Sequence, residues 1–201
     1  KSKVIKPQFV VEKLYEITGG DAFVTSDVGQ HQMWVAQHMQ FNSPRNHISS
    51  SGLGTMGFGL PAAVGAKMAR QNDEVVLVSG DGSFMMNVQE LGTLRRAKLP
   101  VKMVLLDNQR LGMVRQWQEL FFDARFSETI LSDNPDFVRL ASAFDIAGET
   151  ITRKEEVPAA IARMLASEGA YLLHVSISAE ENVWPLVPPG AANQDMMESK
   201  P

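Results

Sequence analysis

The sequence predicts a three-layer α/β/α domain built on a doubly wound, mostly parallel sheet. Three observations carry that prediction. "VVLVSG" (Val75–Gly80), "VKMVLLDN" (101–108) and "YLLHVSIS" (171–178) are nearly unbroken apolar runs, as strands buried on both faces must be. Segments with helical apolar spacing alternate with them, which is the order of a parallel sheet covered on both sides. The loops after the strands are rich in Gly and small polar residues, and ligands of open parallel sheets bind at that edge.

The elements follow in chain order. "QFVVEKLYEIT" (8–18) carries Phe9, Val10, Leu14 and Ile17 at helical spacing and is stopped by Gly19-Gly20. "AFVTSDV" (22–28) reads as a short strand and "NHISSS" (46–51) as a weaker one. Helical segments span 58–70, 85–98, 111–122, 135–145 and 155–167. The end, "VWPLVPPGAANQDMMESKP", is Pro-rich and then polar. The expected organisation is one domain over 1–190 with a flexible polar tail over 191–201.

Composition narrows the function. With 201 residues, 44% of them hydrophobic and 21% charged, the chain can bury a core. A net charge of −4 with scattered Lys and Arg argues against nucleic acid, whose phosphates need a basic face. The absence of cysteine excludes disulfides and thiol catalysis and fits a reducing, cytoplasmic setting. No apolar run reaches the roughly 18 residues of a membrane span. The opening "KSKVIKPQ" has no apolar core, so it is not a secretory signal, and its lack of an initiator Met suggests a chain cut from something longer.

Four loops fall on the ligand-binding edge: "SDVGQHQMW", "SSSGLGTMGFG", "SGDGSFMMN" and "LDNQRLGMV". "GLGTMG" matches the G-x-G-x-x-G dinucleotide pattern literally. The acid that should close the next strand is missing, however, since Asp73 and Glu74 come too early and Asp81 is wedged between glycines. Asp81 and Asn108 form a better pair. Each closes an apolar strand, and one crossover separates them, so adjacent strand tips would bring a carboxylate and an amide oxygen to one point. Hard oxygen ligands with open positions suit a Mg²⁺ that bridges a diphosphate. Gly82 and Ser83 would open a helix whose free N–H groups hold the anion. The plainer reading makes Asp81 a helix cap and Asn108 a turn residue, which explains either alone but not both.

"GDGSFMMNVQELGT…LLDNQRLGMV" resembles the thiamine-diphosphate motif. "SDVGQHQMW", "SSSGLGTMGFGLPAAVGAKMA" and "DNQRLGMVRQWQELFF" are similar to the large subunit of the acetolactate synthase (acetohydroxyacid synthase) family, most of all its bacterial isozyme II type. The resemblance runs over residues 7–190. It implies that Asp81, Asn108 and the Arg110 carbonyl ligate Mg²⁺. Gln30 and His31, with the Gly82 and Ser83 amides, would hold the diphosphate, and Val28 and Gly29 would also bind the cofactor. The Gly54 carbonyl would receive the aminopyrimidine amino group, and Met56 would wedge between the cofactor's two rings. Met86, Gly112 and Met113 would line the same cleft, and Trp117 would face the substrate and favour 2-oxobutyrate as acceptor. Without the resemblance, the methionines read as core filler and Trp117 with Phe121 as an apolar helix face. Ser51 departs from the Gly that many relatives carry.

The same resemblance implies what lies elsewhere. The Glu that activates the cofactor belongs to the N-terminal domain of a second catalytic subunit, so no catalytic residue is assigned to this chain. FAD would bind mainly in a middle domain outside it. The expected function is the C-terminal, cofactor-binding third of an enzyme that decarboxylates pyruvate and ligates it to pyruvate or 2-oxobutyrate for branched-chain amino acids, inactive alone. Expected partners are the enzyme's other domains, the second catalytic subunit and a small regulatory subunit. Alternatives are another thiamine-diphosphate carboligase, decarboxylase or pyruvate oxidase, or a non-catalytic Rossmann-like nucleotide-binding module.

Overall fold

Each apolar run forms a strand in the computed structural model, which describes residues 4–200. In chain order the elements are α1 (Pro7–Thr18), β1 (Phe23–Ser26), α2 (Gln30–His38), β2 (His47–Ser49), α3 (Gly59–Ala69), β3 (Val75–Gly80), α4 (Asp81–Met86), α5 (Leu91–Ala97), β4 (Lys102–Asp107), α6 (Gly112–Phe121), α7 (Phe137–Ser142), β5 (Ala147–Ile151), α8 (Val157–Ala166) and β6 (Tyr171–Ser176). The six strands pair in the order β2-β1-β3-β4-β6-β5, every pair parallel. The predicted three-layer α/β/α class is what the chain adopts. The end residues 1–3 of the expected domain and residue 201 of the expected tail lie outside the described residues.

Strand periodicity builds the layers. Val76 and Val78 of β3, with Val104 and Leu106 of β4, point to one side and pack with Val10, Leu14, Trp34, Ile161 and Met164 from α1, α2 and α8. Val75, Leu77, Met103 and Leu105 point to the other and pack with Leu60, Phe84, Leu94 and Phe137. Since side chains alternate across a strand, a sheet covered on both faces needs both sets apolar. α1 begins with Pro7 at its first position and ends at Gly19, whose φ of 62° only glycine adopts without strain.

Three segments differ from the sequence expectation. "QHQMW", the end of the stretch read as loop, opens helix α2, because burial of Trp34 and Val35 under α1 outweighs its weak periodicity. The expected helix 85–98 breaks at Asn87, whose amide donates to the Gly57 carbonyl at 2.7 Å instead of continuing a helical turn. Val88–Glu90 accordingly forms a short 3₁₀ turn. Strand β5, "AGETI", had no apolar signal because it is the sheet's edge and buries only Ile151. After Gly190 the chain folds back. Leu186 and Met197 exchange main-chain hydrogen bonds at 2.9 and 2.8 Å, and Lys200 reaches Glu119 at 2.7 Å. Among the described residues no helix is long and apolar enough to cross a membrane.

Candidate functional site

Strand order decides where the site lies. From β1 the chain runs to β2 on one side and then crosses to β3 on the other, so the loops leaving β1 and β3 diverge and open a crevice at their carboxyl ends. A cavity of about 90 Å³ lies there. Its lining includes Val28, Gly29, Gln30, His31, Met56, Asp81, Gly82, Ser83, Asn108, Arg110, Gly112 and Met113. These twelve expected site residues come from four separate loops. Gly54 stands beside the crevice on the exposed loop that carries Met56, near Val28. Met86 lies outside the cavity, half exposed, against Gly57. Trp117 lines a second, wider cleft of about 720 Å³ with Met113, Val114, Gln118, Phe122 and Arg125. Its ring stands edge-on to Phe121 at 6.0 Å, and both rings are partly exposed, so α6 turns an apolar face outward instead of filling the core. Met85 and Met86 are also exposed, against the core-filler reading.

The register Gly80↔Leu106 sets the tip of β3 beside that of β4 and brings Asp81 next to Asp107 and Asn108. Asp81 is buried, and burial first, then the charge of Asp107, push its carboxyl up to about 7. Its carboxyl accepts from the amide of Gly82, the next residue of α4. Asp107 is buried as well. Burial opposes its ionisation, but hydrogen bonds from His174 Nε2 (2.9 Å) and the Gln109 amide (2.9 Å) outweigh it and hold the carboxyl below the usual range. Asn108 uses its side-chain oxygen to accept from the Arg110 amide at 3.0 Å. Among the described residues no group of three or more His, Cys, Asp or Glu gathers as a metal cluster. Asp81, Asn108 and Arg110 line one cavity, and a carboxylate with an amide oxygen is the kind of hard oxygen donor that suits a divalent cation.

The anion side is equally built. His31 is fully buried and its Nε2 has no partner in the structure. Burial pushes its pKa down to about 3 against a hydrogen bond to the Asp27 carbonyl, so the ring is neutral. The imidazole fits only because Gly80 has no side chain: a Cβ there would stand 2.7 Å from His31 Nδ1. The cavity residues therefore fit a diphosphate held by a divalent cation, and the orphaned imidazole nitrogen is the clearest sign of a group that belongs beside it.

The match to known proteins agrees with this chemistry. Residues 27–175 match the family model described as thiamine pyrophosphate enzyme, C-terminal TPP binding domain. The chain belongs to that family. As a thiamine pyrophosphate-binding domain, it is 67% identical over 189 residues to the acetolactate synthase isozyme 2 large subunit of Escherichia coli (strain K12), a match covering 94% of this chain and 34% of that protein. It is 46% identical over 200 residues to the chloroplastic acetolactate synthase 2 of Zea mays, covering 96% of this chain and 31% of that one. A chloroplastic acetolactate synthase 1 of Oryza sativa subsp. japonica matches at the same 46% identity. The chain thus spans about a third of the length of the curated relatives it matches.

Within this thiamine pyrophosphate-binding domain, the sequence reading overlooked several residues that the crevice depends on. Asp27 is buried and accepts from the amides of Val28 (2.8 Å) and Gly57 (2.9 Å), tying two of the loops together. Ser83 Oγ donates to the Val28 carbonyl at 2.6 Å. Gln30 spends its side chain inward: its Nε2 donates to Gln116 Oε1 (2.9 Å) and to the Glu181 carbonyl (3.1 Å). Asp27 closes an apolar strand as Asp81 does, so the same signal marks it. Gln116, Asn134 and His174 carry no local signal at all.

Proposed function

We propose that this chain is the cofactor-binding portion of an acetolactate synthase large subunit, which decarboxylates pyruvate and ligates it to pyruvate or 2-oxobutyrate. The observation that carries the reading is the crevice at the β1 and β3 tips, where Asp81, Asn108 and Arg110 meet the loop of His31 in one cavity. Bound thiamine diphosphate supplies an electron sink for the carbanion left by decarboxylation, a task for which side chains have no equivalent. The residues of this chain bind, orient and shield. Asp81, the Asn108 side chain and the Arg110 carbonyl would hold Mg²⁺. The first-turn amides of α2, at Gln30 and His31, face the diphosphate, since helix N-terminal N–H groups lack internal partners. Gly82 and Ser83 present their amides from the start of α4. A phosphate oxygen against His31 Nε2 favours a proton there, turning the ring into a donor. Met56 would stand against the cofactor's rings, the Gly54 carbonyl would accept from its amino group, and Trp117 would meet the acceptor.

A cavity of about 90 Å³ is small beside the roughly 300 Å³ at which whole small-molecule pockets begin. That size suits one end of the cofactor and supports a site completed by a second subunit, which also brings the activating Glu. FAD binds mainly outside this chain. The test is calorimetric titration with thiamine diphosphate, with and without Mg²⁺, and with NAD. Heat that requires Mg²⁺ and disappears in Asp81→Ala supports the reading. NAD binding that survives Asp81→Ala would instead establish a Rossmann-like nucleotide module.

A further inference from the structure

We propose that Asn134, together with the Asp107–His174 pair, is a positioning unit that aims the Asp81 carboxylate at its divalent cation. The inference rests on the reading of Asp81 as the carboxylate ligand of the diphosphate site.

Asn134 lies 53 residues beyond Asp81, in the loop ahead of α7, and no motif leads to it. Its Nδ2 donates to Asp81 Oδ2 at 2.7 Å and stands 3.5 Å from Asp107 Oδ1. One amide therefore bridges the carboxylates at the tips of two adjacent strands. Its backbone is held in place: its N–H donates to the Leu131 carbonyl at 3.2 Å, and the following Pro135 restricts its conformation. The side chain reaches into the crevice from a fixed anchor.

Asp107 is held from the opposite side. Its Oδ2 pairs with His174 Nε2 at 2.9 Å, and its Oδ1 accepts the Gln109 amide at 2.9 Å. The other His174 ring nitrogen is 3.1 Å from Thr150 Oγ1, and Phe137 packs against the ring with centroids 5.5 Å apart. The chain Thr150–His174–Asp107–Asn134–Asp81 thus crosses β5, β6, β4 and the 134 loop before it ends on the first residue of α4. The two carboxyl groups hydrogen-bond to each other as well. Here one is clamped by His174 and the other is steered by an amide that has no charge to compete with the cation. Groups that orient a metal ligand in this way commonly govern affinity by about 10- to 100-fold.

The experiment is a titration of the purified full-length protein with Mn²⁺ at saturating thiamine diphosphate. Free ion is followed by electron paramagnetic resonance, alongside thermal melting without ligand. Asn134→Ala and the near-isosteric Asn134→Leu are both expected to weaken Mn²⁺ binding about 10- to 100-fold. The bound-ion line shape should change while the melting temperature stays close to that of the parent, since Asn134 is only half buried. His174→Leu should weaken binding in the same direction, and His174→Gln, which keeps an N–H for Asp107, should recover it. Binding within twofold of the parent in both Asn134 variants, with Asp81→Ala abolishing it, overturns the positioning role alone. Mn²⁺ binding that persists in Asp81→Ala overturns the site reading beneath it.

Discussion

Gln116, with no exposed surface, accepts a hydrogen bond at 2.9 Å from Gln30, 86 residues earlier in the chain. The same Oε1 accepts the Val183 amide, and Nε2 donates to the Val183 carbonyl, each at 2.9 Å. One buried amide therefore joins the start of α2, the helix α6 that carries Met113 and Trp117, and the C-terminal arm.

Replacing that amide should be felt in both fold and site. Gln116→Leu keeps the volume but strands the Val183 N–H and carbonyl in the interior and leaves the Gln30 amide with the Glu181 carbonyl alone. The expected loss is about 1–3 kcal/mol of unfolding free energy, read from urea denaturation, with weaker thiamine diphosphate binding because Gln30 loses one of its two acceptors. Unchanged stability and affinity would show the hub to be ornamental.

Gly80→Ala tests the fit of the imidazole. A Cβ there meets His31 Nδ1 at 2.7 Å, closer than real Cβ contacts come. Overpacking of this kind costs about 1–3 kcal/mol, and the displaced ring should remove Mg²⁺-dependent thiamine diphosphate binding in calorimetry. Normal binding in a folded variant would mean that the ring has room to move.

His31 also makes stability depend on pH in a defined direction. Its pKa is about 3 in the fold against an ordinary 6.5, so above pH 6.5 both states are neutral and the group contributes nothing. Below that, the unfolded chain gains a proton that the fold refuses, and stability falls by up to about 1.4 kcal/mol per pH unit down to about pH 3. Urea midpoints at pH 7 and pH 5, without cofactor, should lie closer together in His31→Asn than in the parent. Equal spacing in the two proteins would count against a buried neutral ring.

Trp117 should separate function from stability. It is 40% exposed and packs chiefly on Phe121. Trp117→Leu should change unfolding free energy by no more than about 0.5 kcal/mol, as surface substitutions do. In the assembled enzyme it should shift the product ratio away from the 2-oxobutyrate adduct. A large stability loss with an unchanged ratio would return Trp117 to a packing role.

The layers and the crevice could be read from residues because their signals are local. Val75–Gly80 and the run 101–108 declare buried strands by composition alone, and the tip residues Asp81 and Asn108 follow from where those runs end. β5 could not be read this way, since an edge strand buries too little to leave a pattern. α2 was hidden because packing on α1, not its own periodicity, makes it a helix.

What the sequence by itself determined was the parallel sheet and, through its motifs, the thiamine pyrophosphate-binding family. The tertiary structure decided which distant residues support the crevice. Asn134 reads as a turn residue before proline, His174 as a polar interruption in a strand, and Gln116 as one of several helix glutamines. Their roles arise only when separate segments fold to within hydrogen-bond distance, and such contacts leave no periodicity in the chain because each depends on the position of a partner far away in sequence.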